Sequence, residues 1–234
     1  MNETTKTNLV RGADFLAKYF NGKVLDIGCG KDIVCPNAQP FDLEHGNAQR
    51  ISDYLPAQTY DTVHSSHCLE HMTDPEAALS QWWSLVKPGG HLILVVPDED
   101  LYEQGIWPSR FNSDHKATFR TNRETKFSPV SYDIKALVNK LPQSATVSME
   151  VHDHGYDYSL QSFGYCSTKK QPIISLGFAR RMLRAVSKPL PALRTKWTTW
   201  IENLYFHRYG IPIDQTSRDA LAQIQVVVQK TTVE

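Results

Sequence analysis

The chain has 234 residues, of which 41% are hydrophobic and 21% charged, and its formal net charge is zero. This composition is typical of a folded globular protein, and a chain without net charge is not drawn to nucleic acid as a whole. The polar N-terminus predicts no signal peptide, and no apolar run approaches the roughly 20 residues that span a bilayer. Four cysteines lack a regular framework, which predicts reduced thiols and a cytoplasmic protein.

Helices and strands are predicted to alternate over the first hundred residues. Apolar residues at helical spacing predict a helix over residues 8–20. Strands are then predicted at residues 24–27, 39–43, 60–64 and 91–96, and a helix is predicted from Asp74-Pro75 to Val86. This alternation predicts an α/β fold with a mostly parallel sheet and helices on both of its faces.

The rest of the chain is predicted to complete one domain of residues 1–234. An irregular segment, residues 98–130, is followed by a helix over 131–139 and a strand over 145–151. Residues 222–229 are rich in β-branched side chains and predict the last strand. The intervening residues 155–218 are predicted to be a helical insertion.

The segment Val-Leu-Asp-Ile-Gly-Cys-Gly, residues 24–30, predicts a ligand site at the end of the first strand. Glycines there let the backbone turn sharply and lie close to a ligand. A dinucleotide-binding turn would have a third small residue where this chain has Ile33, and no Lys-Ser/Thr pair of a phosphate loop follows. The carboxylate of Asp26 suits a positively charged ligand, such as the ammonium and sulfonium of S-adenosylmethionine.

Three segments together resemble one family. Residues 24–30 resemble motif I of the class I S-adenosylmethionine-dependent methyltransferases. Residues 60–71, which end in Leu-Glu-His, resemble the fourth-strand motif of their type 11, ubiquinone-biosynthesis-like branch, and residues 85–92 resemble the turn before its fifth strand. The resemblance implies a Rossmann-like, seven-stranded-type sheet and an enzyme that uses S-adenosyl-L-methionine.

The resemblance also implies a set of cofactor-binding residues. The motif I residues Asp26, Gly28, Cys29 and Gly30 would hold the methionine moiety, with Asp26 near the ammonium through backbone or water. Asp42 would accept hydrogen bonds from the ribose hydroxyls, with Glu44 as the alternative. Beside adenine would lie Asn47 and Ala48, and the mouth of the site would be lined by Ser65, Ser66 and His67.

The chain departs from the family pattern at the first crossover. Asp32 stands where motif I has its third glycine, and only residues 31–41 separate Gly30 from Asp42. A helix with its turns hardly fits in that length. The first crossover helix is therefore predicted to be short or missing.

Transfer to a hydroxyl would need a general base, and histidine is the usual choice. The candidates are His67, His71 and His115. The alternative is that Glu70 and His71 only brace the loop after the strand. No metal site is predicted, because His64 falls within a strand and His67, Cys68 and His71 lack a second ligand pair with finger-like spacing.

The segment of residues 98–130 is predicted to bind the acceptor, because it leaves the carboxyl end of a central strand. The residues expected to contact the acceptor are Tyr102, Trp107, Arg110, Asn112 and His115. The alternative is a structural lid without acceptor contact.

Residues 158–201 contain eight basic residues and neither Asp nor Glu. Around residues 178–188 the basic and apolar side chains fall on opposite helical faces, which suits a membrane surface or an anionic partner, although a helix packed on the domain is the alternative. The predicted function is methyl transfer to an oxygen or nitrogen of a small molecule or glycan, presented at the inner membrane face. The alternatives are an RNA or protein methyltransferase and a non-catalytic cofactor-binding or scaffold protein.

Overall fold

The computed structural model describes residues 3–121, 124, 126–162, 175–186 and 191–232, and only the backbone of residues 184–186 and 191–194. The helices are α1 (Glu3–Tyr19), α2 (Pro75–Ser84), α3 (Ile134–Asn139), α4 (Leu176–Val186) and α5 (Pro191–Tyr209). The strands are β1 (Val24–Ile27), β2 (Gln39–Phe41), β3 (Tyr60–Ser66), β4 (Val86–Pro97), β5 (Thr118–Arg120), β6 (Ser131–Asp133), β7 (Ser144–His152) and β8 (Gln223–Lys230). Shorter turns are the 3₁₀-helices Ala48–Asp53, Leu69–His71, Tyr158–Leu160 and Thr216–Arg218 and the π-helix Glu99–Glu103.

Six of the described strands form the main sheet, in the order β2-β1-β3-β4-β8-β7. The first four are parallel, and β8 pairs antiparallel with both β4 and β7. The predicted Rossmann-like α/β class is confirmed. The strand count is six rather than seven in the described part, because the chain after β2 turns into the 3₁₀-helix Ala48–Asp53.

The side chains of the central strand β4 pack into a hydrophobic core on each face of the sheet. Its apolar run is fully buried, and alternate side chains point to opposite faces. Leu92 and Leu94 pack in the larger core, which includes the tryptophans of α2, whereas Ile93 packs against Tyr19 and Phe20 at the end of α1. The sheet is therefore layered between α1 on one face and α2 and α3 on the other.

Two predicted helices lose residues to neighbouring strands in the structure. The helix opened by Asp74, whose side chain accepts the N–H of Ala77 at 3.0 Å, ends at Ser84 rather than Val86. Val86 already pairs with Tyr60 as the first residue of β4. Likewise, the helix predicted over residues 131–139 begins only at Ile134, because residues 131–133 pair with β5.

The first helix extends further toward the N-terminus than predicted. It begins at Glu3, and its polar first turn packs inward, with Thr4, Lys6 and Thr7 buried. A break at Gly12, whose φ is 74° and ψ 167°, interrupts the helix within the predicted range of residues 8–20. The periodic apolar pattern did not extend to this segment, because its buried side chains are polar.

The link between β1 and β2 contains no helix, as its length predicts: residues 28–38 form only turns. Since β1, β2, β3 and β4 are parallel, the loops that follow them meet at one edge of the sheet. None of the described helices is both long and apolar enough to cross a membrane. The assignment of the whole chain to one domain stays a prediction.

Candidate active site

The turn after β1 approaches the segment after β3 so closely that it requires glycine. Gly28 has a φ of +73°, and a Cβ there would lie 2.5 Å from Sγ of Cys68. The N–H of Gly28 donates to the carbonyl of Phe41 at 2.8 Å, and the N–H of Gly30 donates to Oδ2 of Asp42 at 2.6 Å. The glycine turn is thereby fixed against the end of β2.

A first cavity of about 500 Å³ opens beside this turn. Its wall is formed by Gly28, Phe41, Asp42, Leu43, Gly46, Asn47, Ala48, Gln49, His67, Cys68, His71, Met72, Thr73, Asp114 and Lys116. The predicted cofactor residues in this wall are Gly28, Asp42, Asn47, Ala48 and His67. A cavity of this size with mixed polar and apolar walls has the dimensions of a small-molecule site.

One side of the first cavity is locked by hydrogen bonds between two loops. Asn47 caps the 3₁₀-helix Ala48–Asp53 by accepting the N–H of Gln49 at 2.9 Å. The side chain of Gln49 accepts the N–H of Asp74 at 3.1 Å, and Nε1 of Trp82 donates to the carbonyl of Ala48 at 2.9 Å. This side of the cavity wall is therefore held by α2.

Asp26 lies behind the turn rather than in the cavity wall. Its Oδ2 accepts the N–H of Val34 at 2.7 Å, and its Oδ1 lies 2.6 Å from Nδ1 of the fully buried His64. Nε2 of His64 faces the guanidinium of Arg11 at 3.2 Å. Burial lowers the pKa of Arg11 to about 9, although the charge of Asp26 acts to raise it. Asp26 thus holds the loop through Val34 and contacts His64, which faces Arg11.

The remaining predicted cofactor residues support the turn from outside the wall. Cys29 is buried, and burial, followed by the charge of Asp26, raises the pKa of its thiol to about 11. The hydroxyl of Ser65 donates to the carbonyl of Ile27 at 3.1 Å. Gly30 reaches the site through its bond to Asp42, and Glu44, the alternative ribose ligand, is exposed next to it.

A second cavity of about 330 Å³ adjoins the first. Its wall is formed by Glu3, His67, Glu70, His71, Tyr102, Asn112, His115, Asp214, Thr216 and Ser217. His67 and His71 belong to both walls. The two cavities therefore meet at these imidazoles, where a group could pass from a ligand in one cavity to a ligand in the other.

Three imidazoles surround a buried carboxylate at this junction. The side chain of Glu70 is 1% exposed, and neither of its oxygens accepts a hydrogen bond from a described residue. Its Oε1 lies 3.5 Å from Nδ1 of His67, 3.9 Å from Nε2 of His71 and 4.0 Å from Nε2 of His115. A buried carboxylate without hydrogen bonds needs positive charge close by.

The outer nitrogens of two of these rings are held by other carboxylates. Nδ1 of His115 lies 2.8 Å from Oε1 of Glu103, whose side chain is 1% exposed. Nδ1 of His71 lies 3.0 Å from Oδ2 of Asp114. Both rings therefore carry their proton on Nδ1 and present Nε2 toward Glu70 when they are neutral.

His67 is engaged on both sides of its ring. Its Nε2 lies 3.0 Å from Oε1 of Gln223, while its Nδ1 faces Glu70. Burial acts to lower the pKa of His67, but the carboxylate of Glu70 outweighs it, so this pKa is raised. Burial acts to raise the pKa of Glu70, and His67 together with its neighbours lowers it. The pair is stabilised in its charged form.

The segment that carries His115 docks on the turn that follows β3. The N–H groups of Lys116 and Ala117 donate to the carbonyl of Glu70 at 2.8 and 3.1 Å. The ammonium of Lys116 also donates to the carbonyl of His71 at 2.7 Å. These bonds bring His115 close to His71, which lies 44 residues earlier in the sequence.

The predicted acceptor-binding residues divide between two places. The second cavity contains Tyr102, Asn112 and His115, and the rings of Tyr102 and His115 lie 5.2 Å apart. Arg110 instead lines a third cavity of about 370 Å³, which reaches α4 at Leu176 and shares Asp214 with the second. Trp107 lies in none of these three walls.

Sequence reasoning missed much of both walls. In the first cavity these residues are Phe41, Leu43, Gly46, Gln49, Cys68, Met72, Thr73, Asp114 and Lys116, and in the second they are Glu3, Asp214, Thr216 and Ser217. Met72 and Thr73 directly follow the Leu-Glu-His segment, so their position was a usable signal. Glu3 and the residues near Asp214 reach the site only through tertiary packing.

Comparisons with known proteins identify the type of domain. A family model described as a methyltransferase domain matches residues 2–131, which is more than half of the chain. Two curated relatives are ubiquinone biosynthesis O-methyltransferases, from Vibrio atlanticus at 29% identity and from Vibrio vulnificus at 32%. The alignments cover 31% of this chain, and the chain spans only 42% and 43% of these relatives' lengths.

Two solved structures with a similar chain path carry methyltransferase names. One is a SAM-dependent methyltransferase from Archaeoglobus fulgidus, with a TM-score of 0.46, 19% identity and coverage of 98% of this chain and 95% of that one. Another is Haemonchus contortus phosphoethanolamine N-methyltransferase 2 in complex with S-adenosyl-L-methionine, with a TM-score of 0.47, 14% identity and coverage of 90% and 49%.

Proposed function

Because the chain belongs to the class I S-adenosylmethionine-dependent methyltransferases, we propose that it transfers a methyl group from this cofactor to a hydroxyl oxygen of a small molecule or glycan. The observation that carries the proposal is the histidine cluster around Glu70, at the junction of the two cavities. An amine acceptor has a lone pair once it is neutral, whereas a hydroxyl must lose its proton during transfer. The part of the curated relatives that aligns belongs to O-methyltransferases.

We assign the cofactor to the first cavity, whose residues fit its parts. The carboxylate of Asp42 would accept hydrogen bonds from a ribose diol, and Asn47 and Ala48 would lie beside the adenine ring. Gly28 leaves room for the methionine moiety, and Cys29, Gly30 and Ser65 hold the shape of this turn. Asp26 acts through the loop that it fixes. When bound, the cofactor supplies a methyl carbon already activated by its sulfonium.

The acceptor is assigned to the second cavity. Tyr102 offers a ring face to a flat or sugar-like acceptor, and Asn112 offers an amide for hydrogen bonding. His71 lies in both walls, so its Nε2 is placed to receive the proton of an acceptor hydroxyl. His67 is a poorer base, because Glu70 holds it in its protonated form. The protein otherwise contributes proximity and alignment.

The proposal is tested with labelled S-adenosylmethionine and a panel of phenols, catechols, sugars and amines. We expect label transfer to a hydroxyl compound, and a loss of about 100-fold or more in kcat for His71→Ala with cofactor affinity retained. The matched control is His154→Ala, an exposed histidine outside both cavities. Transfer to amines alone, or an unchanged kcat in His71→Ala, would contradict the proposed function.

We further propose that the acceptor is presented at a membrane surface by the α4–α5 pair. These helices pack on each other through Ala179 and Tyr205. The opposite faces expose large apolar side chains, namely Phe178, Met182, Trp197, Trp200 and Leu204. Tryptophan and phenylalanine at a helix surface suit the lipid–water interface. The third cavity is lined by Leu176, Gly177 and Arg180 of α4 and shares Asp214 with the second cavity.

Fewer basic residues are free to contact a membrane at this surface than their number in the sequence suggests. Arg180 and Arg218 both pair with the buried carboxylate of Glu202, so Arg180 is occupied within the protein. The side chain of Arg184, together with Lys169, Lys170 and Lys188, lies outside the described residues. The exposed apolar side chains of α4 and α5, rather than Arg180, are therefore expected to dominate the membrane contact.

Vesicle co-sedimentation tests the membrane proposal. We expect the protein to sediment with vesicles that contain anionic phosphatidylglycerol, and the double variant Trp200→Ser/Met182→Ser to stay in the supernatant. The control is Leu9→Ser, which removes an even more exposed apolar side chain from α1. If the wild-type protein does not sediment with the vesicles, the membrane proposal is wrong, while the proposed methyl transfer is unaffected. The free thiols of Cys29, Cys35 and Cys68 support the proposed cytoplasmic location.

A further inference from the structure

The junction of the two cavities has the ligand atoms of a metal site. Oε1 of Glu70 and Nε2 of His71 and of His115 lie within 4.8 Å of one another. The two nitrogens are 3.9 and 4.0 Å from the carboxylate oxygen. Around a tetrahedral ion with bonds of about 2.1 Å, ligand atoms lie about 3.4 Å apart, so small side-chain rotations close the site.

The outer partners of both imidazoles point to the same use. Metal-bound histidines almost always donate their other ring N–H to a carboxylate or carbonyl, which fixes the ring and its tautomer. Here Nδ1 of His115 is held by Glu103 at 2.8 Å, and Nδ1 of His71 by Asp114 at 3.0 Å. Each ring therefore directs the lone pair of Nε2 inward. A simple ion pair with Glu70 would need only one imidazole, whereas two imidazoles are oriented toward it in this way.

Glu70 supplies an independent observation. Its carboxylate is fully buried and accepts no hydrogen bond from the described residues, and Oε2 of Glu103 is in the same condition. Buried carboxylates are normally hydrogen-bonded, paired or bound to a metal. A divalent cation between these side chains would compensate the buried carboxylate.

We propose that Glu70, His71 and His115 bind one divalent first-row transition-metal ion at the junction of the cavities. Two imidazoles and one carboxylate with open positions suit Zn²⁺, Mn²⁺ or Fe²⁺, whereas Mg²⁺ and Ca²⁺ prefer sites made of oxygen alone. His71 faces both cavities, so the open positions of the ion face a bound acceptor. With an ion bound, Nε2 of His71 would be a ligand rather than the base, and the ion would hold the acceptor oxygen and favour loss of its hydroxyl proton to solvent. This role, unlike the binding itself, rests on the proposed function.

The test measures binding without methyl transfer. Protein freed of metal with a chelator is titrated with Zn²⁺ in competition with a chromophoric chelator, and with Co²⁺ while its visible absorption is recorded. We expect one ion per chain, and Zn²⁺ bound more tightly than Mn²⁺ and far more tightly than Mg²⁺. Glu70→Gln and His115→Ala should each weaken Zn²⁺ binding at least tenfold, while His154→Ala should not.

Folding and function are separated by two further measurements. S-adenosylmethionine binding and thermal unfolding are recorded for each variant, so that a misfolded variant is recognised and replaced by His71→Ala. Absence of stoichiometric binding, or binding that survives both Glu70→Gln and His71→Ala, would overturn the inference, and Glu70 would then be neutralised by His67 alone. Methyl transfer that persists after chelation would contradict the role of the ion in transfer, but neither its binding nor the proposed function. Metal binding without methyl transfer would contradict the proposed function and leave the metal site in place.

Discussion

Asp26 illustrates how one residue in a recognisable motif can act through its neighbours. The motif predicted a carboxylate near a cationic ligand, and the structure directs both of its oxygens to Val34 and His64. Arg11 completes this group, since its guanidinium faces His64 and donates to Gln225 at 2.7 Å. Removing one member of a buried charged group leaves the opposite charge uncompensated, which costs more than the pair itself contributes.

We therefore expect Asp26→Asn to lower the free energy of unfolding by about 2 to 4 kcal/mol, because Arg11 loses its buried counter-charge. Urea unfolding followed by circular dichroism measures this change. Glu76→Gln is the control, since it breaks an exposed ion pair with Lys140 at 2.8 Å, and it should cost less than about 1 kcal/mol. Equal losses in the two variants would contradict this view of Asp26.

Asp98, which follows β4, predicts a pH dependence of stability. Burial raises the pKa of Asp98 from 3.8 to about 6. The native state then binds this proton more tightly than the unfolded chain does, so the residue makes the native state less stable as pH rises through this range. A shift of this size corresponds to about 3 kcal/mol.

Asp98→Asn should remove that dependence, because an amide does not ionise and can still accept the N–H groups of Asp100 and Leu101 that Oδ1 accepts now. The measurement is the free energy of unfolding of both proteins at several pH values between 4 and 7. The advantage of the variant over the wild type should grow with pH. A constant difference would mean that the carboxyl titrates normally.

At the scale of elements, the glycine turn after β1 offers a matched pair of substitutions. Both glycines have positive φ, +73° for Gly28 and +55° for Gly30. A Cβ on Gly28 would collide with Cys68, whereas a Cβ on Gly30 would meet no atom within 4 Å. An alanine would therefore strain the backbone at both positions, but only at Gly28 would it also collide with a neighbouring side chain.

Calorimetric titration with S-adenosylmethionine should separate the two effects. Gly28→Ala must push the turn away from the segment after β3, so we expect cofactor affinity to fall at least tenfold. Gly30→Ala carries only the conformational cost of about 1 kcal/mol, and its affinity should change by less than fivefold. A larger loss for Gly30→Ala would place the methionine moiety against that residue instead.

For the whole molecule, the first cavity links β1, β2, the segment after β3 and residues 114–116. A ligand that binds only the folded chain stabilises it by about 2.7 kcal/mol at 100 times its Kd. S-adenosylhomocysteine should therefore raise the melting temperature of the wild type. Asp42→Ala should reduce that rise at the same ligand concentration, because a charge-assisted hydrogen bond is lost. An identical rise in both proteins would remove Asp42 from the site.

The features that could be predicted are those that depend on residues close together in the sequence. The strands β1, β3 and β4, the start of α2 and the missing crossover helix were predicted, since each depends on neighbouring residues. The proposed metal ligands were not, because only His64, His67, Cys68 and His71 were weighed. His115 joins Glu70 through backbone bonds from Lys116 and Ala117, and nothing in its own neighbourhood indicates that partner.

The sequence by itself determined the family, the α/β order of elements and the glycine turn, because motifs and periodic patterns record local backbone requirements. Only the tertiary structure decided where side chains point. It placed Asp26 behind the turn, put Arg110 and Tyr102 in different cavities, and joined two cavities at His67 and His71 beside Glu70. Those outcomes depend on burial and on the packing of loops from distant parts of the chain, and a carboxylate becomes exceptional only when its surroundings exclude water.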